Sequence, residues 1–182
     1  MISFANRLGA RLDILATPVL TSLARFVFAA VLLLYFWSAG VTKLGDGLAG
    51  LIEPSLGAYA QIFPKAMEAV SYDVTQLSEF HRAVVLAGTW AEFILPALLV
   101  LGLFTRLAAL GMIVFVIVQS ITDLFGHGAI AQPETVGAWF DRISDSVILD
   151  QRAFWMLLFA LLLLKGGGPL SLDRLFFGRD PR

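Results

Sequence analysis

Apolar residues in this chain fall in long, nearly unbroken runs, separated by polar segments that carry proline and glycine. Four runs stand out, at about 25–43, 82–105, 106–125 and 147–165. A helix that crosses a bilayer needs ~20 mostly apolar residues, so each run is predicted to be a span. The fourth is uninterrupted only over Ala153–Leu164, which is too short alone. It reaches span length if its helix begins near Val147 and takes Asp150 and Arg152 into the bundle. Almost no loop separates the second and third runs, which predicts a tight antiparallel hairpin. The predicted fold is a single all-α domain over 1–182, a membrane four-helix bundle with antiparallel, up-down helices.

The flanking segments carry patterns of their own. Phe4, Leu8, Leu12, Leu15 and Val19 recur at helical spacing, with Arg7 and Arg11 off the stripe. This predicts an N-terminal interfacial helix that ends before Pro18. The first apolar run starts only after Arg7, Arg11 and Arg25, so it reads as a retained span and not as a cleavable signal. Lys165 followed by Gly166, Gly167, Gly168 and Pro169 stops the fourth helix. Ser171 then caps a short helix whose Leu172, Leu175 and Phe176 dip into the interface. The long loops between runs contain Pro54, Pro64 and Pro133 and are predicted to hold short helices over the bundle mouth.

Composition agrees with a membrane solvent. Hydrophobic residues make up 58% of the chain and charged residues 15%, with a mean hydropathy of +0.82. Soluble domains are about 25% charged. Cysteine is absent, which excludes disulfides, thiolate-ligated cofactors and thiol exchange within the chain. Basic residues are sparse and sit at the run edges, so nucleic acid is not a partner. Arg7, Arg11, Arg25, Arg106, Lys165, Arg174, Arg179 and Arg182 share the side of the N-terminus, against Lys43, Lys65, Arg82, Arg142 and Arg152 opposite. That bias places both termini in the cytoplasm.

The ionisable residues inside the runs are the candidate chemistry. Glu92 is the one charge between Ala83 and Thr105. A carboxylate near the bilayer centre costs at least ~2.5 kcal/mol and must face protein or water. Pro96 follows four residues later and has no N–H to offer the Glu92 carbonyl. At ~1.5 Å per residue, Lys43 stands ~27 Å above Arg25, Glu92 ~21 Å and Asp123 ~25 Å above Arg106, and Asp150 and Arg152 ~22 and ~20 Å above Lys165. All four helices therefore bring charge to one layer, with His127 just above it. Glu92 is expected to pair with Lys43 or Arg152. Two readings stand: an ion-pair network that fixes helix register, or a ligand, proton or redox-partner site. Trp37, Trp90 and Trp155 lie near this layer, as packing or interfacial anchors or as the frame of a cavity. His81 and His127 lack metal-ligand spacing, and no metal site is predicted. Gly45-x-Gly47-x-x-Gly50 follows a span rather than a strand, so it reads as an exit loop and not a dinucleotide fingerprint.

Arg25 with the apolar run to Gly40 and Lys43, Glu92 with Leu101-Gly102-Leu103-Phe104-Thr105-Arg106-Leu107, a third span ending near His127, and Gly168-Pro169-Leu170-Ser171-Leu172-Asp173 together resemble the DoxX family of small four-span bacterial membrane proteins. The resemblance implies a bacterial inner-membrane location and a role beside redox or metal-stress systems, with no defined reaction. It is named for likeness to a membrane subunit of a thiosulfate:quinone oxidoreductase. The first expectation is a non-catalytic accessory or anchoring subunit. The alternatives are a quinone- or small-molecule-binding oxidoreductase subunit using Glu92 and Lys43, and a transporter of a small solute or proton. Candidate partners are the lipid bilayer, a membrane or soluble protein, and a second copy of the chain.

Overall fold

The structure is a computed structural model that describes residues 2–178, without the side chains of residues 2–8 and 11. All regular structure among the described residues is helical. Helix α1 (Ile2–Val31) and α2 (Leu33–Lys43) form one rod that is irregular only at Leu32. The i→i−4 backbone bonds continue across that point, from Leu32 to Phe28 and from Phe36 to Leu32. Two short helices, α3 (Leu56–Ile62) and α4 (Pro64–Ala69), lead to α5 (Glu79–Leu101) and α6 (Thr105–Ile121). A four-residue helix α7 (Pro133–Val136), then α8 (Arg152–Lys165) and the short α9 (Leu172–Phe177), complete the chain.

Four segments among the described residues are long and apolar enough to cross a membrane: Leu12–Val31, Glu79–Leu101, Thr105–Gly126 and Val147–Lys165; the first lies earlier than the expected 25–43, because the helix is interrupted at Leu32. The last two exceed the α-helical parts because a π-helical turn extends each, over Thr122–Gly126 and Val147–Gln151. That second turn is how the fourth run reaches span length. Large apolar side chains such as Leu34, Leu107, Phe154 and Leu157 are exposed around the outside of the bundle. Such a surface is expected where the solvent is hydrocarbon.

One expectation is corrected at the N-terminus. The segment before Pro18 is not a separate helix; α1 passes straight through the proline. Pro18 gives up one backbone bond to the carbonyl of residue 14. Nearby, the Thr21 and Ser22 hydroxyls donate to the carbonyls of Thr17 and Pro18 at 2.8 Å each. Of the apolar stripe, Leu12, Leu15 and Val19 are exposed, while the Phe4, Leu8, Arg7 and Arg11 side chains lie outside the described residues.

The core explains the bundle order. Phe28, Leu32 and Phe36 of the rod meet Leu99 of α5, Met112 and Val116 of α6, and Phe159 and Leu162 of α8. The rings of Phe28 and Phe159 meet edge-on at 5.9 Å, a favoured aromatic geometry. A second cluster, Ala58, Tyr59, Met67 and Val85, seats α3 and α4 on the start of α5. These are the short helices expected over the mouth.

Arg25 closes the opposite end. Its guanidinium donates to the carbonyls of Leu99, Val100, Gly167 and Leu170, tying α1 to the C-terminal ends of α5 and α8. Asp173 does the reverse for α6. It accepts from the Phe104 and Thr105 N–H groups and from the Thr105 hydroxyl, at 2.6, 2.9 and 2.6 Å, and so caps that helix from a distant part of the chain. Gly102 has φ +67, and a Cβ there would meet Ser171 Cβ at 2.6 Å and Arg25 Cζ at 2.7 Å. The sequence elements behind the family resemblance, Arg25, Gly102–Thr105 and Gly168–Asp173, thus converge on one seam. Ser171 caps α9 as predicted, accepting from Arg174 N–H at 3.2 Å.

The G-x-G-x-x-G stretch is a tight turn rather than a loose exit loop. Gly45 N–H donates to Gly50 O, and a Cβ on Gly50 would lie 2.0 Å from Gly45 O.

Candidate ligand cavity beside a buried ion pair

The predicted charge layer resolves into two separate pairs. Glu92 pairs with Lys43, not Arg152: Lys43 Nζ donates to Oε1 at 2.9 Å and Oε2 at 3.0 Å, and to Ala39 O at 3.2 Å. Lys43 is 6% exposed and Glu92 5%. A pair so sealed from water persists only because each charge is the other's partner. Arg152 instead pairs with Asp123 and donates to the Ser120 hydroxyl at 2.8 Å. The first pair joins α2 to α5, and the second joins α8 to the end of α6.

Asp150 belongs to neither pair. Its carboxylate accepts the Ser146 N–H at 3.0 Å while Ser146 Oγ accepts the Asp150 N–H at 3.3 Å. This reciprocal arrangement is a capping box, widened by one residue because the first turn of the fourth span is π-helical. Asp150 thus starts the helix of the fourth span and does not line the cavity described below. The Ser146-x-x-x-Asp150 spacing was a readable signal only if the π turn were known.

Pro96 lies inside α5 and is buried. The Trp37 indole N–H donates to the carbonyl of Phe93, next along from Glu92, at 3.2 Å. Trp90 donates to Leu51 O at 3.0 Å, and Trp155 packs on Tyr35 and Phe36. None of the three tryptophans lines the cavity described next, so they are packing and anchoring residues. His127 Nε2–H donates to Gln61 O at 2.9 Å, pinning the end of the third span to α3. His81 is bonded to Ser78 Oγ at 2.8 Å and does not join it.

Between α5, α6 and the α3 cover lies a cavity of about 510 Å³. Its walls are apolar, with Ile62, Val84, Leu95, Val114, Phe115 and Val118 among them. Lys43, Glu92, Asp123 and His127 supply the ionisable lining among the described residues, joined by Gln61 and Gln119. Four of the six predicted ionisable residues thus reach one space; Arg152 touches it only through Asp123. Small residues make the room: a Cβ on Gly111 would meet the Leu95 side chain at 2.9 Å. Pockets for small organic ligands run to roughly 300–1,000 Å³, apolar with a few convergent polar groups. This cavity has that form.

Gln119 is the residue sequence reasoning missed. One end of its amide meets the Tyr35 hydroxyl at 3.3 Å, and its Oε1 is buried with no partner. A buried polar atom without a partner costs about 1–3 kcal/mol, and a ligand or water that bonds it recovers this. No sequence motif marks a glutamine at that position in an apolar span beyond its polarity.

The DoxX family profile matches residues 20–128. No curated protein and no solved structure matches the chain. Every residue that lines the cavity falls inside the matched segment, as do Arg25 and Gly102 of the opposite seam, whereas Asp150, Arg152 and Asp173 lie beyond it. The match spans more than half of the sequence, and the described residues hold four candidate membrane spans, so the chain belongs to the DoxX family of membrane proteins.

Proposed function

We propose that this protein is a ligand-binding subunit of a redox- or stress-related membrane assembly, holding a small amphipathic molecule in the cavity beside Lys43 and Glu92. The observation that carries this reading is the cavity itself: apolar walls, a sealed ammonium–carboxylate pair on one side, and an unpartnered glutamine amide oxygen on another. A quinone suits this donor set. Leu95, Phe115 and Val118 would receive its ring and tail, Lys43 would stand beside its oxygens, and Gln119 Oε1 would accept from the hydroxyl of the quinol form. When bound, such a group supplies reversible two-electron chemistry. Glu92, held by Lys43 at the cavity wall, would be placed to exchange one of the two protons that accompany quinone reduction. The test is extraction of protein purified in mild detergent, followed by mass spectrometry of the lipid-soluble fraction. A stoichiometric quinone or other amphipathic molecule is expected. Its absence, with no thermal shift on adding a short-chain quinone, would reject the reading.

The anchoring role is supported by a different observation. In the loop after α7, Trp139, Phe140 and Ile143 are 64%, 104% and 61% exposed, and Phe140 has φ +68. Trp139 Nε1–H donates to Leu149 O at 3.0 Å, which fixes this loop against the start of the fourth span. An exposed apolar patch on a pinned loop suits a protein partner. Phe140→Ser is expected to release that partner on native gels while leaving cavity binding intact; unchanged assembly would remove the support.

In this reading the protein lies in a bacterial inner membrane with both termini cytoplasmic, as the Lys and Arg distribution favours. Because the chain has no cysteine, single cysteines at Ala49 and Gly178 report sidedness cleanly. Labelling of Gly178→Cys, but not Ala49→Cys, by an impermeant reagent added outside would reverse the orientation.

A further inference from the structure

A second cleft, of about 590 Å³, lies at the other end of the bundle, where the α5–α6 turn faces the Lys165–Arg174 segment. The spans Glu79–Leu101, Thr105–Gly126 and Val147–Lys165 all terminate or begin here, so the cleft sits at the membrane boundary. Arg106, Lys165 and Arg174 line it, with Asp173 as the acidic lining group. Asp173 is already engaged by the Phe104 and Thr105 N–H groups and the Thr105 hydroxyl. Lys165 and Arg174 are exposed and form no ion pair among the described residues. The cleft therefore carries surplus positive charge directed at solvent. Phe104 and Phe177 form one apolar wall, their rings 5.7 Å apart. Leu107 and Leu164, next in sequence to two of the basic residues, are 68% and 71% exposed toward the span surface.

We propose that this cleft binds the headgroup of an anionic phospholipid. Its phosphodiester lies between Lys165 and Arg174, and its acyl chains run down over Leu107 and Leu164. Basic clefts between helix ends at a membrane face recognise anionic headgroups, and neighbouring exposed leucines distinguish a lipid from a free anion. The C-terminal end of α8 also points here, and its carbonyl dipoles repel an anion. The N-terminal N–H groups of α6 also face the cleft but are taken by Asp173, so the attraction comes from the side chains and is removable by neutralising them. Arg25 already satisfies the Gly167 and Leu170 carbonyls, so the glycine-rich floor stays formed when those charges are removed. The site is independent of the Lys43–Glu92 cavity, at the opposite end of the bundle.

The test uses full-length protein in nanodiscs of phosphatidylcholine with or without phosphatidylglycerol, read by thermal stability and by native mass spectrometry. Retained phosphatidylglycerol and a higher melting temperature are expected in the mixed discs. Each neutralised charge should weaken retention about fivefold, and Lys165→Gln with Arg174→Gln together about thirtyfold. Lys65→Gln, an exposed lysine on the far side, should change nothing. Equal retention of both lipids, an unaffected double variant, or the same loss in Lys65→Gln would overturn the proposal. So would inorganic phosphate reproducing the stabilisation in phosphatidylcholine discs, because that would show a free-anion site.

Discussion

Removing one partner of the Lys43–Glu92 pair should cost far more than removing both. Glu92→Gln keeps the shape and one acceptor for Lys43 Nζ but leaves an ammonium buried beside Ala39 O without a counter-charge. Breaking a buried pair in this way costs about 3–5 kcal/mol. For a chain of this length that is roughly 6–20 °C in melting temperature, at ~2–4 °C per kcal/mol. Lys43→Met leaves a bare carboxylate and should lie at the high end. The double variant Lys43→Met/Glu92→Leu removes both charges, and such replacements are often neutral or stabilising by ~1–4 kcal/mol. Its stability should return to within about 1 kcal/mol of the parent. Thermal or denaturant unfolding in detergent, monitored by tryptophan fluorescence, measures the parent, Glu92→Gln, Lys43→Met, Glu92→Leu and the double variant. Two results would refute the reasoning. A loss under ~1 kcal/mol for Glu92→Gln would match an exposed pair and mean that water reaches it. A double variant as unstable as the singles would mean that the loss does not come from stranded charge. The same double variant separates the two roles of the pair: a folded bundle that no longer retains ligand would place the pair in binding.

Other expectations rest on single contacts. Asp123→Asn strands the Arg152 guanidinium, 4% exposed and left with only the Ser120 hydroxyl, and should cost about 3–5 kcal/mol, as Glu92→Gln does; the same unfolding assay compares them. Arg25→Ala strands four carbonyls at the helix-end seam and should cost at least ~3 kcal/mol, with hydrogen exchange rising first at Gly102–Thr105; protection unchanged there would contradict the contact. Asp173→Ala removes a cap from α6 and should cost ~1–2 kcal/mol, partly restored by Asp173→Asn. Hydrogen bonds from Gln76 and Thr75 hold the Asp73 carboxyl below the usual carboxylate range. Its stabilising effect is therefore fully present above the ordinary value near ~4 and lost as pH falls through the lower folded value. An NMR titration should show this depression, and Asp73→Asn should remove that acid-dependent component; a titration at the ordinary value would refute it.

The sequence by itself was enough for everything set by the hydrocarbon solvent. Run lengths fixed four spans, the missing loop fixed the α5–α6 hairpin, and the isolated Glu92 had to turn inward. Rise per residue then placed the ionisable groups at one height. Height, however, says nothing of azimuth, and that is why the sequence left Glu92 a choice between Lys43 and Arg152. Only helix packing, α2 on α5 and α6 on α8, decided it. The N-terminal helix ran through Pro18 although an interior proline costs ~3 kcal/mol, an outcome that the local pattern did not show. The π turns at Thr122–Gly126 and Val147–Gln151 were invisible because no residue pattern in the sequence marks them. They turned Asp150 from a ligand candidate into a cap. The Arg25–Gly102–Asp173 seam and the Gln119 cavity were likewise tertiary decisions, for they join residues far apart in the chain that no local pattern relates.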